Sequence, residues 1–428
     1  MGFRELSEIS RGFDPGQKGR GPRVMMYSHD TFGLGHIRRT RAIANALVQS
    51  NDEMSVLIVS GSPLAGSFNF GSGIDFVRVP GVTKCESGYY TSADLRLDVE
   101  EVAALREAII RQTAEMFRPD IFIADKEPTG FRGEIVPTLA RLGAMGTHRI
   151  LGIRDVLDDD IVVNDEWTRK GATRALVDHF DDVLIYGLES FHQPLNGVPL
   201  PEHVRKRMVY TGYLRRSVPG GPAVVRYPRS TKDPFILVTT GGGGDGYGML
   251  DWVISAYEAD PSIPMPAVIV FGPYMSRTQR RALLDRIDRL PNVDAIAFDT
   301  KLERLMNRAS AVVAMGGYNT FCEILSFDKP ALLVPRSRPR QEQTIRARRA
   351  SELGLVSMLE DPVETGAGPR DPVVMAKALR DLVEQEKPSR RAIPGLLDGL
   401  RHVKAHINPL LAARLDGSYP KPMFASGL

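Results

Sequence analysis

"SAVVAMGGYNTFCEIL", residues 310–325, carries an apolar run into two glycines and then into a helical pattern. It reads as a buried strand over 310–315, a turn at Gly316 and Gly317, and a helix from Tyr318 to Ser326. Parallel strands are joined through crossover helices, so a strand that turns directly into a helix is half of such a unit. The stretch decides the fold if the same alternation recurs along the chain.

It recurs throughout. The N-terminal half offers strands at "RVMMYS" (23–28), "MSVLIVS" (54–60), "IDFVRVP" (74–80), "IFIAD" (121–125), "RILGIRD" (149–155), "DVLIYG" (182–187) and "MVYTGY" (208–213), with helical patterns at 35–48 and 98–117. Runs this apolar, separated by helices, predict parallel strands covered on both faces. The stretch 214–234, with four prolines and two glycines, breaks the pattern. Beyond it the alternation restarts at 235–240, 267–272, 293–298, 310–315 and 331–336. A length of 428 residues also favours two domains over one core. The expected fold class is α/β, with two doubly wound, Rossmann-like domains facing a cleft. The expected bounds are a polar leader at 1–21, a first domain at 22–214, a linker at 215–234 and a second domain at 235–390. A C-terminal extension at 391–428 follows, and its helical part can pack on either domain.

Composition narrows the function classes. Hydrophobic residues make up 43% and charged residues 25%, ordinary proportions for a globular chain in water. Lys and Arg number 55 against 52 acidic residues, a net charge of +3, which leaves no electrostatic footprint for nucleic acid. Cys85 and Cys322 have no metal-ligand spacing and read as reduced thiols. No apolar run approaches the roughly 20 residues of a membrane span, and the N-terminus lacks a signal-peptide core. A cytoplasmic protein is expected, with peripheral contact at the inner face of the membrane left open.

Ligands of open parallel sheets sit beyond the carboxyl ends of the strands. Three turns there are candidates. In "SHDTFGLGHIRRT" (28–40), Gly33 and Gly35 allow a tight turn, and His36 in the first helical turn is placed to act as a general base. In "VTTGGGGDGYGML" (238–250), consecutive glycines before a helix expose backbone N–H groups to an anion, most simply a phosphate. In "MGGYNTFCEIL" (315–325), Asn319 and Thr320 can cap the helix or bond a phosphate. Glu323, one turn after Asn319, shares its face and can take two hydrogen bonds from a ribose diol. Each turn also has a purely structural reading, as a tight turn, a flexible turn or a capped helix.

Further residues stand at the neighbouring strand ends. The loop "RSRPRQEQ" (336–343) carries Glu342 and Gln343, within reach of a sugar or simply in solvent. "ADKEPTGFRGE" (124–134) places Asp125, Lys126, Glu127 and Glu134, and "IRD" (153–155) places Arg154 and Asp155. Each of these can serve His36, an acceptor or a structural ion pair. "KCESGYYTSADLRL" (84–97) reads as a loop whose tyrosines can stack on an acceptor or pack locally.

In their order and at successive strand ends, "GLGH", "GGGGDG", "GGYNTFCE" and the "EQ" of "RQEQ" resemble the GT-B glycosyltransferases. The closest likeness is to glycosyltransferase family 28, the family of the lipid II-forming peptidoglycan N-acetylglucosaminyltransferase and of galactolipid synthases. The resemblance covers roughly residues 22–385. It implies an N-terminal domain for the acceptor, a C-terminal domain for a nucleotide-sugar, usually a UDP-sugar, and no cofactor beyond that donor. His36 then takes the place of the family's candidate base, with Asp125 and Glu134 as its expected catalytic carboxylates. Gly33, Gly35, Arg38, Lys126 and Arg154 fall on the acceptor side. Gly242, Gly243, Gly244 and Gly246 match the glycine loop near the diphosphate. Gly317, Asn319 and Thr320 match the helix start facing the phosphates, and Glu323 matches the acid that holds the ribose. Glu342 and Gln343 match a pair on the donor sugar, and the backbone at Phe298 and Asp299 matches the segment beside the base.

One position departs from the family. Such enzymes often carry Arg or His eight residues before the ribose acid, where this chain has Met315. Countercharge for the diphosphate is therefore expected from Arg38, Arg336, Arg338 or backbone amides. Many retaining enzymes of the fold have Glu at that position, so Met315 favours inversion. No metal is expected, because the Asp-x-Asp of "LDDD" (157–160) lies in the acceptor-side half. The expected activity is inverting, metal-independent transfer of a hexose or N-acetylhexosamine from a UDP-sugar to a hydroxyl of a glycan or lipid-linked acceptor. The alternatives are a UDP-sugar epimerase of the same fold and a non-catalytic sugar-nucleotide-binding subunit.

Overall fold

The computed structural model describes residues 20–29, 35–68, 70–84, 90–220, 225–416 and 418. The first sheet holds β1 (Arg23–Ser28), β2 (Ser55–Ser60), β3 (Ile74–Arg78), β6 (Ile121–Asp125), β7 (His148–Arg154), β8 (Asp182–Tyr186) and β9 (Met208–Tyr210). Its seven strands are all parallel, in the order β3-β2-β1-β6-β7-β8-β9. Outside it, β4 (Val82–Lys84) and β5 (Tyr90–Ser92) form an antiparallel pair. The second sheet holds β10 (Ile236–Thr239), β11 (Ala267–Val270), β12 (Val293–Ile296), β13 (Ala311–Ala314), β14 (Ala331–Leu333) and β15 (Ser357–Met358). Its six strands are also parallel, in the order β12-β11-β10-β13-β14-β15.

Central strands such as β6 and β10 are buried at every residue, so their sequences are continuously apolar rather than alternating. Both sheet orders reverse at an interior strand. The chain runs from β1 outward to β3 and returns on the other side as β6, and β10 stands likewise between β11 and β13. Each reversal opens a crevice at the carboxyl ends of the flanking strands, which is where such sheets take ligands. In the first domain those ends lead to His29, to the Gly35–Val48 helix and to Asp125. In the second they lead to the glycine turn and to the Tyr318–Ser326 helix.

Several elements differ from the sequence expectation. The strand expected over 208–213 ends at Tyr210, although Thr211 and Gly212 still donate to the Ile185 and Gly187 carbonyls at 2.9 and 3.0 Å, and Tyr213 turns away to the Leu396 carbonyl at 2.8 Å. The loop expected over 84–97 contains β5, and Tyr90 packs edge-on against Phe131 with ring centroids 5.1 Å apart. Glu342 and Gln343 open the Glu342–Glu352 helix instead of ending a loop. The Gly399–Leu415 helix returns to the first domain, where Val403, Ile407 and Leu411 join the cluster that holds Ile43, Ala44 and Leu47 of the Gly35–Val48 helix. Burial of each such side chain stabilises by roughly 1.5–3 kcal/mol. The outgoing and returning crossings touch at Gly212 (φ +86°), where a Cβ would stand 2.2 Å from the Gly395 carbonyl oxygen.

A buried ion pair sets how the two domains meet. Asp155, just after β7, takes Arg346 of the Glu342–Glu352 helix through two hydrogen bonds, 2.6 and 2.8 Å long, and neither side chain is exposed. Tyr213 of the connecting segment donates to the same carboxylate at 2.8 Å, and Arg346 also donates to the Gly316 carbonyl at 3.0 Å. Removing one partner strands a charge in the interior. Arg346→Ala should therefore lower unfolding stability by about 3–5 kcal/mol. Urea unfolding of the two single variants and of Asp155→Ala/Arg346→Ala checks it. The double variant should be far more stable than the two single losses added together, and simple additivity would contradict the coupling.

Candidate active site

A cavity of about 230 Å³ lies where the two crevices meet. The first domain lines it with Gly35, Arg38, Arg39 and Arg154. The second contributes Thr240, Gly241, Gly242, Phe298, Asp299, Met315, the segment from Gly317 to Thr320, Arg336, Glu342 and Gln343.

The second-domain wall is built to receive negative charge. The helices Tyr247–Ala259 and Tyr318–Ser326 begin there, capped by Gly246 and Gly317 with no side-chain hydrogen bond to their first N–H groups. Helix starts of this kind present N–H donors and positive potential to an anion. The glycine turn divides its work. Gly241 and Gly242 face the cavity, whereas Gly243 (φ +89°) and Gly246 serve close packing. A Cβ on Gly243 would stand 2.2 Å from the Phe271 carbonyl oxygen, and one on Gly246 the same distance from Thr240.

Two arginines add full charge. Arg154 leaves the end of β7, and its buried Nε has no hydrogen-bond partner among the described residues. Burial draws its pKa down to about 10, against the pull of Glu342, whose carboxylate is 3.9 Å away. Arg336 stands between Asp245 at 2.5 Å and Glu342 at 3.0 Å. Arg154 and Arg336 are therefore cations that line the cavity from opposite domains.

On the first-domain side, His36 Nδ1 donates to Asp125 at 2.6 Å, which leaves Nε2 clear of that carboxylate. Arg39 grips the same carboxylate through two bonds, 2.8 and 2.6 Å long. Burial opposes ionisation of Asp125, but Arg39 and His36 hold it down at about 2. Gly35 and Arg39, the neighbours of His36 on its helix, line the cavity. The sequence does not single out His29, whose ring lies 5.7 Å from that of His36. Its Nδ1 donates to Tyr27 at 3.1 Å, and Tyr27 donates to Glu134 at 2.6 Å.

Residues 256–389 match the family model of the glycosyltransferase family 28 C-terminal domain, the part of the chain that carries the helix start and Glu342. This segment resembles the C-terminal domain of family 28 glycosyltransferases, and the chain is a glycosyltransferase of the GT-B fold. The transferase is 19% identical over 341 residues to the UDP-N-acetylglucosamine–N-acetylmuramyl-(pentapeptide) pyrophosphoryl-undecaprenol N-acetylglucosamine transferase of Alkaliphilus metalliredigens (strain QYMF), covering 77% of this chain and 84% of the relative. Its fold is similar to that of Acinetobacter baumannii MurG, with a TM-score of 0.53 at 15% identity over 91% of this chain and 99% of the other. It is also similar to a UDP-N-acetylglucosamine 2-epimerase structure from Listeria monocytogenes, with a TM-score of 0.60 at 12% identity over 94% and 98%. These structural likenesses concern the fold alone, and the family 28 match fits a transferase better than an epimerase.

Within the transferase, the expected residues take unequal places. Gly35, Arg38, Arg154, Gly242, Phe298, Asp299, Gly317, Asn319, Thr320, Glu342 and Gln343 line the cavity. Gly243, Gly244 and Gly246 do not line it, although the turn they form supports Gly242. Gly33, Cys85 and Tyr89 fall outside the described residues. Asp299 binds Tyr227 at 2.7 Å and the Lys301 N–H at 2.8 Å, which leaves its backbone as the part facing the cavity. Lys126 pairs with Glu127 at 2.9 Å. Cys322 is buried in the Tyr318–Ser326 helix.

Three expectations need correction. Asn319 does not cap its helix, because it bridges the domains. Its Nδ2 donates to the Gly35 carbonyl at 2.9 Å, and its Oδ1 accepts from Arg216 at 2.6 Å. Glu134 is not beside His36, because Arg106 holds it with bonds of 2.6 and 2.7 Å and Tyr27 takes a third contact. Glu323 does not open onto the cavity. It is fully buried, clasped by Arg38 of the first domain, which also binds Glu303 at 2.9 Å. Burial pushes the Glu323 carboxyl up, Arg38 opposes this, and Glu303 adds to it.

His29 generates a pH prediction. Burial lowers its pKa to about 3, well under the ordinary histidine value. The unfolded chain therefore takes up this proton first, and stability falls as pH drops from about 6.5 toward 3. His29→Gln should lose less unfolding free energy than the wild type between pH 7 and 4.5. Equal losses in paired urea titrations would show that His29 carries no such penalty.

Proposed function

We propose that the transferase moves a hexose or N-acetylhexosamine from a UDP-sugar to a hydroxyl of a glycan or lipid-linked acceptor, with inversion and without a metal ion. One observation carries the reading. An Asp-oriented histidine lies on the first-domain helix whose Gly35 and Arg39 line the cavity, the second domain faces it with a glycine turn and two helix starts that lack side-chain caps, and one arginine from each domain, Arg154 and Arg336, lines the space between. The donor diphosphate takes the place over Gly242 and Gly317. The acceptor hydroxyl attacks the anomeric carbon on the face opposite UDP and gives its proton to His36 Nε2. Asp125, kept ionised by Arg39, meets the imidazolium charge. As the sugar leaves UDP, the charge gathering on the diphosphate is met by Arg154, Arg336 and the helix N–H groups. On this reading those groups do the work that a metal ion does elsewhere.

Met315 supports inversion, since a thioether cannot act as the carboxylate of a retaining site. A screen of UDP-sugars against glycan and lipid acceptors, read by UDP release, tests the proposal. Epimerised UDP-sugar without an acceptor would replace it with epimerase chemistry, and binding without turnover across the panel would leave a nucleotide-sugar-binding subunit.

Two variants assign the roles. His36→Ala should lower turnover by at least about a hundredfold, with UDP affinity nearly unchanged. Arg154→Met should weaken UDP binding by roughly tenfold or more, the scale of one lost charge-assisted contact. Calorimetry with UDP reads the affinity of both, and full affinity in Arg154→Met would take Arg154 out of the diphosphate's contacts.

A further inference from the structure

At the edge of the first sheet away from the cleft, the fold brings together three side chains that the transfer reaction does not use. His148 begins β7 and Asp182 begins β8, so both stand at the amino ends of strands whose carboxyl ends face the cavity. His406 comes from the Gly399–Leu415 helix. Its Nε2 is 2.9 Å from Asp182 Oδ2, and His148 Nε2 is 2.7 Å from the same oxygen. One ligand atom from each residue lies within 4.8 Å of the other two.

We propose that His148, Asp182 and His406 form a binding site for a divalent transition metal, zinc in the first place, which fastens the C-terminal helix to the first domain. Two imidazole nitrogens and a carboxylate oxygen suit zinc, cobalt, nickel or copper better than magnesium or calcium, which prefer oxygen ligands. Bonds of about 2.0–2.2 Å to such an ion place neighbouring ligand atoms roughly 3–3.5 Å apart. The present cluster needs to open by only a few tenths of an ångström from its hydrogen-bonded spacing. The other ring nitrogen of His148, Nδ1, lies 4.0 Å from Asp181 Oδ2, on the side where a carboxylate orients a metal-bound histidine. Side-chain exposures of 7% at His148, 17% at Asp182 and 23% at His406 leave an approach from solvent and room for water in the remaining positions. The metal ties two strands to a helix that arrives 224 residues after Asp182, so it acts on the docking of that helix and not on the donor cavity.

The alternative occupant is a proton, with both imidazoles donating to the carboxylate and no metal bound. The full chain, stripped with EDTA, is titrated with zinc in a calorimeter and with cobalt in a spectrophotometer. The expected result is one zinc per chain, a cobalt d–d spectrum of protein-bound rather than aqua character, and a rise in melting temperature with zinc. His406→Ala, a half-buried position on a terminal helix, should weaken zinc at least tenfold and abolish the melting shift while keeping the wild-type circular dichroism. Wild type and variant binding zinc equally, no zinc bound by the wild type, or a cobalt spectrum of the aqua ion alone would each overturn the proposal. The wild-type cobalt spectrum decides the matter without reliance on the variant's folding.

Discussion

The pair of Asp155 and Arg346 governs the rest of the structure, because it joins three parts of the chain at one buried point. The carboxylate belongs to the first domain, the guanidinium to the second, and Tyr213 reaches in from the connecting segment. Such a pair is a poor source of net stability, since desolvation of both ions offsets most of their attraction. Its effect is on selection among arrangements. Any domain orientation that separates the partners leaves two charges in apolar surroundings, so the observed orientation is strongly favoured. Because Arg346 also holds the Gly316 carbonyl, the same contact fixes the turn that starts the Tyr318–Ser326 helix. The Tyr318 ring lies near two guanidinium groups, 5.5 Å from that of Arg39 and 5.8 Å from that of Arg346, one from each domain.

The electrostatics of the cavity follow from that closure. Met315 leaves the second domain without a basic side chain at the strand end nearest the glycine turn. Arg154 arrives instead from β7 of the first domain, and Arg336 from beyond β14 of the second. The anion-receiving wall is therefore complete only when the domains are together. On the proposed function, a diphosphate draws its countercharge from both domains at once and so favours the arrangement that brings them together.

Much of this was legible in the chain. Buried parallel strands are apolar from end to end, so their positions, and the turns at their carboxyl ends, can be read from the sequence with small errors at the boundaries. Helical spacing also places Asn319 and Glu323 on one face. Spacing cannot show what packs against that face from far away, and Arg38 lies 285 residues from Glu323. Domain membership puts Arg154 on the acceptor side, and its side chain lines the cavity shared by the two domains, 3.9 Å from Glu342 of the second. Glu134 failed for a similar reason, since its partner Arg106 sits on a helix whose buried arginine looks like any exposed one in the sequence. His29 carries a usable sign, a polar residue directly after an apolar strand. The nearby "GLGH" motif draws attention away from it.

The returning Gly399–Leu415 helix has a consequence for how the molecule is made. During synthesis the first domain emerges complete in its strands but without the helix that covers Ile43, Ala44 and Leu47. Domains commonly fold as units in the order of their emergence. Here the first unit must wait, with an apolar groove open to water, until the whole second domain has left the ribosome. The groove is then closed by a helix made only after that second domain. A stalled or shortened chain would thus expose its defect in the domain that was made first.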